Sequence, residues 1–80
     1  MNNEKLLIIT MEECGELIRA CSKVLRHGFV QQKYVQNLHE ELGDVLAMTR
    51  LIQKHFDISD ETLEVYIKKR NLKMQGTNYE

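Results

Sequence analysis

The sequence contains no proline, no tryptophan and only four glycines in 80 residues. Without proline, nothing forces the backbone out of helix over long stretches, and an all-α fold is the natural expectation. Neither charge sign is in excess: 11 basic side chains face 12 acidic ones, for a net charge of -1. That balance argues against a nucleic-acid partner held by a general positive field. No apolar run approaches the roughly 20 residues needed to span a membrane. Leu6 to Ile9, preceded by one lysine, is too short for the apolar stretch of a secretory signal, so a cytoplasmic, reducing setting is expected. Cysteine is scarce too. Cys14 and Cys21 fall seven residues apart in one helical pattern, which separates their Cα atoms by roughly 10 Å and exceeds the roughly 7 Å limit for a disulfide. They are expected to be core thiols, packed like Met11 and Met48.

What remains is one domain, residues 1–80, with 42% hydrophobic and 29% charged residues. At this size a single core barely supplies enough stability. With no disulfide and no membrane anchor, the available reinforcements are a metal ion or self-association.

Three helical patterns cover the chain, with breaks around His27 to Lys33 and Asp57 to Ser59. The first spans about Asn3 to Arg26 and stops near Gly28, with Arg26 and His27 at the negative end of its dipole. The second spans about Tyr34 to His55. Ser59 is a good N-cap for the third, which opens on Asp60 and Glu61 and runs to about Lys73. Residues 75–80 read as a loose tail.

The acids of the two long helices are misplaced for ordinary solvated surfaces. On a helical wheel at about 100° per residue, Leu6, Leu17, Ala20, Val24 and other apolar residues fill an arc roughly 200° wide. Glu13 lies inside that arc, Glu16 at its edge and Glu12 just beyond. In the second helix Leu38, Leu42, Val45, Met48 and Ile52 flank Glu41, which is therefore central to the apolar face, with Asp44 one turn along. Asn37, one turn earlier on that face, is either a simple helix N-terminal residue or a substrate donor. Two antiparallel helices of this kind bring four carboxylates together, and mutual repulsion plus desolvation then calls for a cation. Oxygen ligands without histidine or cysteine at ligand spacing suit Mg²⁺ or Mn²⁺ rather than zinc. A di-iron bundle would require Glu-x-x-His on two helices, and neither acid cluster contains it.

The same residues carry a resemblance. Glu12-Glu13-Cys14-Gly15-Glu16-Leu17, followed by Glu40-Glu41-Leu42-Gly43-Asp44-Val45-Leu46, resembles the paired Glu-Glu-x-x-Glu and Glu-x-x-Asp signatures of the MazG-like all-α nucleoside triphosphate pyrophosphohydrolases. Either half alone is weak. Both halves, in order, across one loop and on apolar faces, are fairly specific, and the match extends from about Glu4 to Phe56. The resemblance implies a MazG-like helical hairpin with a shorter third helix, and Mg²⁺-dependent hydrolysis of an NTP or dNTP to the monophosphate and pyrophosphate. It implies Glu13, Glu16, Glu41 and Asp44 as metal ligands and Glu12 as the carboxylate that orients or deprotonates the attacking water. Lys69, Asn71 and Lys73 are the nearest candidates for substrate binding, since the family tends to place such residues on a later helix. A non-catalytic metal-nucleotide binding or sensor module of the same fold is the alternative.

The wheels also bear on assembly. Apolar arcs of roughly 200° exceed the roughly 100° stripe that one core face needs, and the third helix is too short to cover the remainder. A homodimer or tetramer completing a four-helix bundle is expected.

Overall fold

The computed structural model describes residues 1–76, and these form three helices: α1 (Asn3–His27), α2 (Gln32–His55) and α3 (Asp60–Gln75). The expected all-α class holds. The breaks fall where the sequence placed them, with each helix running one to two residues further at an end. Gln75, read from sequence as the start of a tail, closes α3 and is capped by Gly76; residues 77–80 of that tail lie outside the described residues.

Local chemistry explains each boundary. The Asn2 side chain accepts a 2.8 Å hydrogen bond from the Lys5 N–H and so satisfies an orphan donor at the start of α1. At its far end Gly28 adopts φ 99° and ψ 155°, a conformation that costs any residue with a Cβ, while its N–H reaches the Val24 carbonyl at 2.9 Å. Ser59 caps α3 as expected, its Oγ accepting from the Thr62 N–H at 3.1 Å. Between α2 and α3 the chain turns at Asp57, which takes φ 52°, and Gln53 Nε2 donates to Asp60 Oδ1 at 2.6 Å across the bend.

Helices α1 and α2 pack as a hairpin, whereas α3 packs against neither. The buried core is correspondingly thin: Leu6, Ala20 and Val24, all from α1. Many large apolar side chains face solvent, among them Met11, Ile18, Leu25, Leu46 and Val65. Two expectations are corrected here. Cys14 and Cys21 are exposed rather than core thiols, and Met11 is 73% exposed. The cause is geometric, because one neighbouring helix covers only a narrow stripe of a helix surface. The radius of gyration is 15.1 Å, where about 11.6 Å is expected of a compact domain of this length.

The turn that reverses the chain depends on Gly28. Gly28→Ala leaves its surroundings sterically open but forces a Cβ into a left-handed conformation, so stability should fall by about 1–3 kcal/mol. Urea denaturation measures it, and a loss below a few tenths of a kcal/mol would contradict this account of the turn.

Candidate metal centre

Helical periodicity places Glu41 and Asp44, three residues apart, on one side of α2. Antiparallel packing sets Glu13 of α1 opposite them. One carboxylate oxygen from each of Glu13, Glu41 and Asp44 lies within 4.8 Å of the other two. Glu13 and Glu41 are half-buried and Asp44 is exposed, so the group sits where the helix interface meets solvent.

Glu41 is the strained member. Its Oε2 is buried and has no hydrogen-bond partner, and a buried unsatisfied carboxylate oxygen is costly to keep ionised. Burial, followed by the charges of Asp44, Glu16, Glu13 and Glu40, raises its carboxyl above the ordinary glutamate range. Every neighbour that shifts it is itself an acid. A divalent cation held among these oxygens reverses the sign of the local field, satisfies the orphaned Oε2 and removes the conflict. The donor set, carboxylate oxygens alone, fits a hard ion.

The other residues expected at the site are placed differently. Glu16 stands half-buried one turn from Glu13, but its Oε1 accepts a 2.8 Å hydrogen bond from Arg19 Nη2, and it is not one of the three converging acids. It acts on Glu41 through its charge. The Arg19 pair is 69% and 45% exposed, and such a surface contact along one helix is worth only a few tenths of a kcal/mol, too little to hold Glu16 against a cation. Glu12 is exposed beside the group. Lys69, Asn71 and Lys73 are exposed on α3, which the single chain does not pack against the hairpin.

A cleft of about 350 Å³ opens at the loop end of the hairpin, a feature that helical periodicity alone does not disclose. Lys23 of α1 and Lys33, Tyr34 and Asn37 of α2 line it. His27 stacks on the Tyr34 ring with centroids 4.2 Å apart and planes 10° from parallel, and the Lys33 ammonium lies 5.5 Å from the same ring centroid. The signal was present in the spacing: Lys23 follows Glu16 by seven residues and Lys33 precedes Asp44 by eleven, both helical repeats of one face.

The class that fold and site define is an all-α helical hairpin whose two members join acids at one half-buried point able to hold a cation. Residues 1–73 match the family model of the MazG nucleotide pyrophosphohydrolase domain, and the chain belongs to that family. At the level of the family this is a nucleotide pyrophosphohydrolase type of hydrolase, and the family acts on nucleotides and generally uses divalent metals. No curated protein and no solved structure matches the chain. Among the described residues no helix is long and apolar enough to cross a membrane.

The raised Glu41 carboxyl has a consequence for stability. A group that binds its proton more tightly when folded contributes stability that is fully present below its unfolded value and is lost as pH rises through the folded one. In chelator, the melting temperature of the native sequence should therefore fall, relative to Glu41→Gln, as pH rises above the ordinary glutamate range. At neutral pH the glutamine variant should melt higher than the metal-free parent. A lower or equal melting point would refute the assignment of Glu41 as the strained carboxylate.

Proposed function

We propose that this protein is a Mg²⁺-dependent nucleoside triphosphate pyrophosphohydrolase, converting an NTP or dNTP to the monophosphate and pyrophosphate, with Mn²⁺ as a substitute ion. The observation that carries this reading is the convergence of Glu13, Glu41 and Asp44 across the hairpin, with the Glu41 oxygen buried and unsatisfied. Glu13, Glu41 and Asp44 hold the ion, and Glu16 joins them by exchanging its Arg19 contact. When bound, the ion neutralises phosphate charge and lowers the pKa of a coordinated water.

The rest of the chemistry falls to the chain. Water oxygen bonds to one phosphorus of the α–β anhydride, that bond breaks, and the proton released passes to a carboxylate and then to solvent. Glu12 serves as that acceptor, being exposed at the solvent edge and adjacent in sequence to a ligand. Little covalent work is asked of the protein beyond this, since positioning and charge stabilisation dominate phosphoryl chemistry. Lys69, Asn71 and Lys73 contribute to substrate binding where α3 is brought to a site by assembly. A cytoplasmic location keeps the exposed thiols of Cys14 and Cys21 reduced.

Assembly belongs to the same proposal. The chain exposes 6722 Å², whereas a compact monomer of 9.4 kDa exposes about 5,000 Å². The excess, about 1,700 Å² per chain, is what an obligate interface between two copies covers. We therefore infer a homodimer or tetramer in which paired hairpins form a four-helix bundle.

Two experiments test these statements. With Mg²⁺ and a panel of nucleoside triphosphates, at least one should yield pyrophosphate, and Glu41→Gln should lower the rate more than about 100-fold. Tight nucleotide binding without turnover across the panel would instead identify a binding or sensor module. In sedimentation, the native chain should run as a dimer or larger, while Ile18→Glu, which charges a side chain 70% exposed in the single chain, should shift it to monomer or unfold it. A folded native monomer would rule out the bundle.

A further inference from the structure

The lysine-lined cleft and the acid group occupy one continuous face of the hairpin. On α2, Lys33, Asn37, Glu40 and Asp44 follow one another at intervals of four, three and four residues, a single stripe running from the loop to the acids. On α1, Glu13, Glu16, the fully buried Ala20 and Lys23 make the matching stripe. Asn37 stands one turn, about 6 Å, before Glu41, and Lys23 about 10 Å beyond Glu16. Side chains on a helix lean toward its N-terminus, so Lys23 leans along α1 toward the acids.

Three observations define what this cleft accepts. Neither the Lys23 nor the Lys33 ammonium pairs with a carboxylate among the described residues, although Glu40 lines the same cleft. Lys23 is a half-buried residue of the cleft wall with no carboxylate paired to its ammonium, so an anion in the cleft gains a charge-assisted partner there. The aromatic ring at hand, Tyr34, already has one face covered by His27 and the Lys33 ammonium near its centroid, so it offers no open platform for a nucleobase. The Asn37 amide adds a neutral donor to the cleft lining.

We propose that this cleft is an anion subsite for the pyrophosphate half of the substrate, with Lys23 as its principal contact and Lys33 and Asn37 in support. The inference rests on the pyrophosphohydrolase reading above and deepens it. The acids would hold the ion beside the bond that breaks, and Lys23 takes the group that departs. As the α–β anhydride bond breaks, negative charge accumulates on the leaving pyrophosphate, where a fixed ammonium stabilises it more than in the ground state. These cations lie on the hairpin itself, beside the acid group within one chain, whereas Lys69 and Lys73 would reach a site only where assembly brings α3 to it.

Calorimetry with inorganic pyrophosphate in Mg²⁺ tests the assignment without requiring turnover. Lys23→Ala should weaken pyrophosphate about ten- to hundredfold, the loss of one charge-assisted hydrogen bond, and Lys23→Arg should restore most of it. Affinity for nucleoside monophosphates should change less than about twofold, and the rise in melting temperature with Mn²⁺ should be retained, which shows the metal centre and fold to be intact. Unchanged pyrophosphate affinity in Lys23→Ala would overturn the proposal. So would a selective loss of monophosphate affinity, which would give the cleft to the nucleoside. Absence of turnover with every nucleotide would count against the pyrophosphohydrolase reading alone, because the pyrophosphate titration still decides the subsite.

Discussion

The organising constraint of this molecule is the crowding of like charges on a packed surface. Carboxylates prefer the solvated side of a helix, yet Glu13 and Glu41 are half-buried where two helices meet, with Asp44 alongside. In isolation this arrangement only costs stability. A divalent ion shared among the oxygens would make it favourable, and the function proposed above rests on that exchange. The rest of the structure suits it: two long helices supply rigid mounts, a short turn fixes their register, and the thin core leaves the acids within reach of water.

The same economy explains why one chain looks unfinished. Burying only Leu6, Ala20 and Val24 is a small return for ordering this many residues, and the apolar arcs of both long helices continue onto surfaces with no neighbour. Helix α3 adds Val65, Tyr66 and Leu72 to this exposed set while packing on neither partner. The proposed metal binding and self-association would act on different deficits, one electrostatic and one hydrophobic. The first sits at the middle of the hairpin and the second along its outer faces.

Much of this was legible in the sequence, for definite reasons. The helix boundaries followed from Gly28, Ser59 and the absence of proline, because these act locally. The convergence of Glu13, Glu41 and Asp44 followed from periodicity plus one assumption, that the two helices run antiparallel. Other features needed the tertiary structure. The wheel put Cys14, Cys21 and Met11 on an apolar arc, but it does not say how much of that arc a single neighbour covers. It placed Glu16 near the acids, with Arg19 or Lys23 as its ordinary helical partner, but not which contact Glu16 makes; the structure gives Arg19 and leaves Glu16 outside the three converging acids. The lysine cleft depends on which residues face each other across the hairpin, and on Lys23 and Tyr34 doing so in particular. Composition hid it as well, since a net charge of -1 is the sum of an acidic centre and basic ends.

The connection between α1 and α2, residues 28–31, is short and carries the exposed Phe29 and Val30 at its tip. Surface loops usually accept insertions and deletions cheaply. This one is different, because it acts as a ruler. One added residue, if absorbed by α2, slides that helix about 1.5 Å and turns it about 100° against α1. That rotation carries Glu41 and Asp44 away from Glu13 and parts Tyr34 from His27 in the same stroke. The sequence of this loop is free to vary at its exposed tip, but its length is tied to the convergence of acids several turns away.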